Sequence, residues 1–242
     1  MDYLRKVIYE TDSDLNHYQV VEEVYSGRAS RLLYSGQLAS AQSGIDLDNP
    51  DKLLFEYNQR LVELVKQFKP GAILAIGGGA YTLPSYLIKK YPTLLIDVVE
   101  PDRGLDALSK RYFNLSSGFN IIHEYGLDYL KKNKKAYDLI IVDAYADQRI
   151  PDSINSKKFA KLAASSLNSN GLLVANVISS LAKDSVINNL HGAYKKHFKS
   201  FKVFPSASNR EFAFTHNFIY VASQEPIKVS LKYPEVTQAD FN

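Results

Sequence analysis

The 242-residue sequence contains no cysteine. Disulfides, thiolate nucleophiles and cysteine-ligated zinc or iron–sulfur sites are therefore excluded. No apolar run approaches the roughly 20 residues of a membrane span, and charges interrupt residues 1–14, where a signal peptide would need an apolar stretch. The expectation is a cytoplasmic protein without a membrane partner.

The sequence also lacks a strong charge of either sign, since 29 Lys and Arg residues against 26 Asp and Glu residues leave a formal charge of +3. The one dense lysine run, between residues 131 and 135, is typical of a helix end, where cations suit the helix dipole. A nucleic-acid surface would need a broader basic stripe with interleaved aromatics. Histidines and carboxylates have no metal-ligand spacing. We therefore expect neither a nucleic-acid partner nor a metal.

What the chain does contain is a change of pattern from a small sheet to a larger one. Between Tyr18 and Gln42, short β-rich runs broken by Ser-Gly pairs predict two or three antiparallel strands. Helical spacing follows from Asn49 to Gln67. Five short apolar runs separated by helical patterns then indicate a parallel sheet covered on both faces, at residues 72–76, 94–100, 119–123, 137–143 and 171–178.

The apolar runs at 198–204 and 212–222 predict an antiparallel hairpin on one edge of that sheet. The predicted fold class is a doubly wound α/β sheet preceded by a small N-terminal β-sheet. We divide the chain into the N-terminal extension 1–48, a nucleoside-binding domain 49–225 and a tail 226–242.

Gly77, Gly78 and Gly79 follow the first parallel strand and precede a helix. Glycines at this place let the backbone turn sharply and approach a ligand closely. The dinucleotide pattern G-x-G-x-x-G fails because Thr82 stands at its last glycine, and no P-loop lysine follows. Glu100 closes the second strand, where an acid can accept both ribose hydroxyls. The pair predicts a nucleoside site without a pyrophosphate.

Asp143 ends the fourth apolar run. Its carboxylate should lie at the rim of the sheet beside the first strand, where an acid can orient or deprotonate an amine or hydroxyl. His123 and Tyr145 should lie nearby, but a lone strand-end histidine and an aromatic beside a sheet are more often structural.

Several motifs, in order, resemble the spermidine synthase (polyamine aminopropyltransferase) family and its methyltransferase-like relatives. They are Tyr18-Gln19, Arg31-Leu32-Leu33-Tyr34, Ser35-Gly36-Gln37 with Gln42, IGGGAYTLP, VVEPD, the Gly126 turn and YDLIIVDAY. The resemblance implies an S-adenosylmethionine-dependent methyltransferase-like, Rossmann-like fold and a homodimer. It also implies a site for decarboxylated S-adenosylmethionine or methylthioadenosine, to which Gln42 and Tyr125 would contribute.

Departures from the family pattern concern its acids. Ala80 stands where the family has the aspartate that holds the amine end of the nucleoside substrate. Ala146 replaces the second acid of the family's Asp-x-x-Asp-Pro loop, and Asp147 comes one residue late. The family's Tyr-His/Gln pair is expected at Phe55-Glu56. Glu124 and Asp128, on either side of the Tyr125-Gly126 turn, are the candidates to replace the family's adenine-side aspartate.

Fewer carboxylates weaken the attraction to a polyamine dication. The first hypothesis is therefore a methyltransferase of unknown small-molecule acceptor that uses S-adenosylmethionine, with Asp143 facing the acceptor. The alternative is an aminopropyltransferase that uses decarboxylated S-adenosylmethionine, in which Asp143 is the base and Asp147 or Glu56 replaces a lost acid. A third hypothesis is a non-catalytic nucleoside-binding or dimerisation module.

Overall fold

The computed structural model describes residues 5–36, 41–145, 149–182, 185–207 and 215–236. Its first part is an antiparallel sheet of four strands in the order β1-β2-β3-β4. The strands are β1 (Lys6–Asp12), β2 (His17–Tyr25), β3 (Arg28–Ser35) and β4 (Ser43–Asp46). Within the described ranges no helix combines the length and apolarity that crossing a bilayer requires.

A second sheet of seven strands follows in the order β10-β11-β9-β8-β5-β6-β7. Its strands are β5 (Ala72–Ile76), β6 (Leu95–Val99), β7 (Asn120–Ile122), β8 (Tyr137–Val142), β9 (Leu167–Ser179), β10 (Ser200–Pro205) and β11 (His216–Ser223). Strands β5 to β9 are parallel, and β11 pairs antiparallel with both β9 and β10. The predicted fold class, including the C-terminal hairpin, is confirmed.

Helices cover both faces of the seven-stranded sheet. They are α1 (Glu56–Phe68), α2 (Thr82–Lys90), α3 (Gly104–Tyr112), α4 (Gly126–Lys132), α5 (Lys157–Ser165) and α6 (Val186–Tyr194). Strand β5 shows the division: Ile73 belongs to the core shared with α1, α2 and α3, whereas Leu74 belongs to the core shared with α4, α5 and α6. Adjacent side chains of a strand point to opposite faces, so a strand covered on both faces must be apolar throughout.

The strand order places a topological switch between β5 and β8. From β5 the chain proceeds outward through β6 and β7, then returns to the other side of β5 as β8. The loops that follow β5 and β8 therefore leave in opposite directions and open a crevice at the carboxyl edge, the usual ligand position in open α/β sheets. The backbone N–H of Asp143 donates to the carbonyl of Ile76 at 2.8 Å, which holds the two strand ends together.

A buried carboxylate joins the N-terminal sheet to the larger sheet. Asp102 is 2% exposed, and its Oδ2 accepts hydrogen bonds from Ser13 Oγ at 2.6 Å and Tyr18 Oη at 2.8 Å. Its Oδ1 accepts from the backbone N–H of Gly104 at 2.8 Å, at the start of α3. One acid thus satisfies donors from both parts of the chain.

The local predictions differ from the structure at two places. The N-terminal sheet has strands outside the predicted range, namely β1 and β4. Helix α1 begins at Glu56, not near Asn49, because Leu53 instead forms an antiparallel bridge with Ile45 of β4. Leu53 and Leu54 stand at helical spacing from Tyr57, but they pack in the core, and Leu53 also forms the bridge. Spacing alone does not distinguish this arrangement from a helix.

We expect Asp102→Ala to lower the free energy of unfolding by about 1–3 kcal/mol, because it leaves the buried Tyr18 hydroxyl without its acceptor. Urea denaturation measures the change. The exposed Asp152 supplies the control Asp152→Ala, expected within about 0.5 kcal/mol of the parent. Equal stability of the two variants would contradict the role given to Asp102.

Candidate functional site

A cavity of about 1430 Å³ lies between the N-terminal sheet and the carboxyl edge of the larger sheet. Its walls include Tyr18 and Tyr34 from the small sheet, and the segments that follow β5, β6, β8 and β9. Charged side chains are few: among the described residues, the carboxylates on its wall are Glu56, Glu100 and Asp143. Tyrosine, asparagine and serine supply most of its other polar groups.

The glycine loop is packed tightly by the protein itself. Gly77 has φ +96°, and a Cβ there would lie 2.1 Å from the backbone oxygen of Asp143. A Cβ at Gly79, where φ is +49°, would lie 2.6 Å from Ser43 Oγ. Neither a left-handed φ nor such an approach suits a residue with a side chain. These glycines are therefore needed to bring β4, β5 and β8 together, whatever ligand the cavity holds.

The backbone N–H groups of this loop point to protein acceptors. Gly78 donates to Glu100 Oε2 at 2.8 Å, and Ala80 donates to Ser43 Oγ at 3.0 Å. Glu100 Oε1 accepts in addition from the N–H of Asp102 at 3.0 Å. A loop whose N–H groups are used in this way differs from a phosphate-binding loop, which directs them at the ligand.

Glu100 has acceptor capacity beyond its bonds to the backbone, since a carboxylate offers about four lone-pair positions. Burial raises the pKa of Glu100, and the backbone N–H groups of Gly78, Asp102 and Gly79 oppose that rise by stabilising the charged form. The side chain is thus held in one orientation by the backbone while lining the cavity.

Asp143 follows β8 and is held by donors from two other elements. Its Oδ1 accepts from Asn176 Nδ2 of β9 at 2.9 Å, and the Tyr57 hydroxyl of α1 also donates to the carboxylate. Burial raises the pKa of Asp143 above the ordinary aspartate value, and the bonds from Asn176 and Tyr57 oppose the rise. Burial and the negative charge of Asp143 raise the pKa of Tyr57 in turn, so its hydroxyl keeps its proton.

Sheet geometry explains why these three side chains meet. In β8, alternation puts Asp143 on the same face as Leu139 and Ile141, which pack in the core shared with α1. Tyr57 lies in the first turn of α1, on that same face. The tyrosine that contacts Asp143 is Tyr57. The expectation that Phe55-Glu56 fills the family's Tyr-His/Gln position stays a prediction.

The other predicted site residues fall into three groups. Tyr125, 57% exposed at the start of α4, and Gln42, whose Nε2 donates to Ser35 Oγ, both line the cavity with the glycine loop. Asp147 lies outside the described residues. Glu124 and Asp128, considered for the adenine side, are paired with lysines of α4 and are not part of the cavity wall that the structure describes.

His123 and Tyr145 have structural hydrogen bonds. The ring nitrogens of His123 lie 3.1 Å from the carbonyl of Glu100 and 3.2 Å from Asp106 Oδ2. Tyr145 does line the cavity, but its hydroxyl donates to the carbonyl of Asn176 at 2.7 Å and accepts from the N–H of Ile178 at 2.9 Å. Its ring therefore braces the segment after β8 against β9.

Sequence reasoning missed Tyr57, Asn176 and Asn217. Tyr57 lies within the helical spacing of Asn49 to Gln67, where spacing alone does not separate it from the apolar residues that pack in the core. The signal for Asn176 was available, because an asparagine inside the apolar run 171–178 is costly to bury unless its amide finds partners. In the described ranges, no group of three or more histidine and acid side chains has the arrangement of a metal site.

Residues 54–228 match the family model of the spermine/spermidine synthase domain. A polyamine aminopropyltransferase of Vibrio vulnificus is 30% identical over 173 residues, which are 67% of this chain and 57% of that protein. A probable polyamine aminopropyl transferase of Bifidobacterium longum is 25% identical over 169 residues, which are 37% of its length. The chain thus spans about half the length of these curated relatives, or less.

Two solved structures share the fold. A probable spermidine synthase from Corynebacterium glutamicum superposes with a TM-score of 0.76 at 21% identity, covering 91% of this chain and 81% of that one. Human methyltransferase-like protein 13, in complex with SAH, superposes with a TM-score of 0.59 at 18% identity, covering 77% and 87%. At these identities the structures speak for the fold alone.

We expect Gly77→Ala to lower the free energy of unfolding by roughly 3 kcal/mol or more, because the new methyl group meets a backbone oxygen at a left-handed φ. The matched control is Gly192→Ala in α6, where a Cβ meets nothing within 4 Å. That variant should be stabilised by about 0.5–1 kcal/mol, as expected for alanine inside a helix. Urea denaturation of both variants checks the difference, and a Gly77→Ala protein as stable as the parent would contradict this packing.

Proposed function

Because the chain belongs to the spermine/spermidine synthase domain family, we propose that it is a polyamine aminopropyltransferase that uses decarboxylated S-adenosylmethionine. The observation that supports this proposal is the Asp143 carboxylate, which faces the cavity at the switch point between β5 and β8. An acid there stands beside the glycine loop and can reach an amine brought to the reactive carbon of a nucleoside bound at that loop.

The donor nucleoside is proposed to bind along Gly77, Gly78, Gly79 and Glu100, with Tyr125 and Gln42 at the ends of this wall. The remaining lone pairs of Glu100 would accept the two ribose hydroxyls. The loop N–H groups are already used by Glu100 and Ser43, which suits a ligand without a pyrophosphate. A sulfonium nucleoside is such a ligand.

The acceptor amine is proposed to approach Asp143. In water the amine is an ammonium ion, which has no lone pair for attack, so it first gives a proton to the carboxylate. The nitrogen then forms a bond to the propyl carbon attached to the sulfonium, while the electrons of the carbon–sulfur bond return to sulfur. Methylthioadenosine leaves as a neutral thioether, the lengthened amine carries the positive charge, and Asp143 releases its proton to solvent.

Methyl transfer, the first hypothesis from the sequence, is less well supported than this alternative. Its support is fold similarity to a methyltransferase-like protein at 18% identity, whereas the family match covers residues 54–228. A fold alone does not determine which group is transferred. The homodimer, the cytoplasmic location, the role of Asp147 and the division at residues 48/49 and 225/226 stay predictions from the sequence.

The nucleoside site predicts that decarboxylated S-adenosylmethionine or methylthioadenosine raises the melting temperature, since a ligand specific for the folded state stabilises it by RT ln(1 + [L]/Kd). Glu100→Gln should weaken affinity by about 1–3 kcal/mol, measured by calorimetry, because an acceptor of buried hydroxyl groups is lost. Glu124→Gln is the control, an acid one strand away that pairs with Lys132. Equal losses in both variants would refute the role of Glu100.

The transfer reaction predicts that the parent converts decarboxylated S-adenosylmethionine and one of putrescine, cadaverine or spermidine into methylthioadenosine and an amine lengthened by one propylamine unit. Mass spectrometry detects both products. Asp143→Asn should lower kcat by about 100-fold or more, the usual contribution of a general base. Asp128→Asn, on the exposed surface of α4, should retain the parent rate.

An absence of lengthened amine from all three acceptors, together with release of S-adenosylhomocysteine from S-adenosylmethionine, would replace this proposal by methyl transfer. An absence of both products with tight nucleoside binding would instead leave a binding module.

A further inference from the structure

Two asparagines continue the hydrogen bonds of Asp143 into the antiparallel part of the sheet. Asn176 of β9 donates from Nδ2 to Asp143 Oδ1 at 2.9 Å, and its Oδ1 accepts from Asn217 Nδ2 of β11 at 2.9 Å. Asn176 is 3% exposed, whereas Asn217 is partly buried, and both line the cavity. The order of donors is therefore Asn217 to Asn176 to Asp143.

The register of β9 and β11 produces this arrangement. Asn217 lies opposite Ile178, and Asn176 lies opposite Ile219, so the two asparagines are diagonal neighbours on one face of the antiparallel pair. Diagonal side chains remain within reach of each other. Val174 and Ile219 belong to the core shared with α1, so this face is the one on which Asp143 and Tyr57 meet.

The orientation of the Asn176 amide follows from its two partners. A carboxylate accepts hydrogen bonds and donates none when ionised, so the NH2 group of Asn176 must face Asp143. The bond from Asn217 favours the same orientation of the Asn176 amide. If that amide were rotated by 180°, its NH2 group would face the NH2 group of Asn217 and its oxygen would face the carboxylate. Asn217 thus holds the amide in the orientation that supports an ionised Asp143.

Two titratable side chains interact with Asp143, and other charged or titratable groups line the same cavity. Tyr57 approaches from α1 and Tyr145 from the segment after β8, and both are raised in pKa by burial and by the Asp143 charge, so they stay neutral. The same cavity is also lined by Arg28 of β3, Glu56 of α1, Glu100 at the end of β6 and His216 of β11. None of these is replaced in the variants below, so their influence is common to all of them.

We propose that Asn176 and Asn217 are positioning residues that keep Asp143 ionised and aimed at the acceptor amine, with Asn217 acting through Asn176. This proposal rests on the proposed function for its kinetic consequence, but not for its structural content. A buried amide within an apolar strand is costly unless paired, and the pairing here is directed at one carboxylate.

The test uses Asn176→Leu, Asn217→Leu and the double variant. The control is Asn168→Leu. Asn168 of β9 donates from Nδ2 to Oδ1 of Asp138 of β8 at 2.6 Å, so the variant also removes an asparagine–aspartate hydrogen bond between these strands. This bond lies at the opposite edge of the sheet from the cavity. Leucine suits β9, whose neighbouring run is apolar. Asn217 is partly exposed, so Asn217→Leu serves should Asn176→Leu fail to fold.

The first measurement does not depend on activity. Titration of the Asp143 Cγ signal by NMR, assigned through its loss in Asp143→Asn, should give a higher midpoint in Asn176→Leu, because the ionised carboxylate has lost a donor. Asn217→Leu should shift it in the same direction by less. The double variant should match Asn176→Leu, since a residue that acts through another adds nothing once that other is gone.

The second measurement is the pH dependence of kcat/KM for aminopropyl transfer. A base must be ionised to act, so a raised pKa moves the acid side of the profile to higher pH. We expect kcat/KM of Asn176→Leu to fall about tenfold on the acid side, as for a lost hydrogen bond to a charged group, and to approach the parent value on the alkaline side. Asn168→Leu should follow the parent throughout.

An unchanged Asp143 titration in both single variants would overturn the proposal. Additive shifts in the double variant would overturn the part that has Asn217 acting through Asn176. A uniform loss of kcat/KM at every pH would indicate a merely structural role and also overturn it. If the parent makes no lengthened amine but the titration shifts as expected, the proposed function fails while the positioning of Asp143 by the two asparagines stands.

Discussion

The contact between the ends of β5 and β8 is the constraint on which the site depends. The Asp143 N–H donates to the Ile76 carbonyl, and Gly77 leaves no room for a Cβ beside the Asp143 backbone. This approach brings the proposed nucleoside wall and the proposed base to within one strand spacing. Both proposed substrates must meet there, because transfer requires the amine nitrogen close to the reactive carbon and in line with it.

Around that contact the protein supports its two inward acids with neutral donors. Glu100 accepts N–H groups of Gly78 and Asp102, and Asp143 accepts Asn176 and Tyr57. Burial by itself would drive each carboxylate toward its neutral form, and hydrogen bonds to the ionised form oppose this without a counter-ion. These hydrogen bonds favour the charged form, which a cationic substrate would contact, against the effect of burial.

The structure gives the glycine loop a different explanation from the one that the sequence suggests. Three consecutive glycines were interpreted as a cradle for a ligand, but Gly77 and Gly79 are required by contacts with Asp143 and Ser43. The ligand interpretation now depends on Glu100, whose two oxygens are only partly used by the backbone. A glycine run shows that something comes close, and only the folded chain tells whether it is a ligand or the protein.

By itself the sequence determined the fold class and the family resemblance. It also determined which residues follow the strands, namely the loop at Gly77 and the acids Glu100 and Asp143. Local apolar patterns suffice for this, because they mark buried parallel strands and the residues that end them. The resemblance is confirmed by the family match over residues 54–228. Only the tertiary structure decided the partners of Asp143, because Tyr57, Asn176 and Asn217 meet through the packing of α1 and the register of β9 with β11. Those are contacts between residues far apart in the chain, and periodicity within one segment carries no information about them.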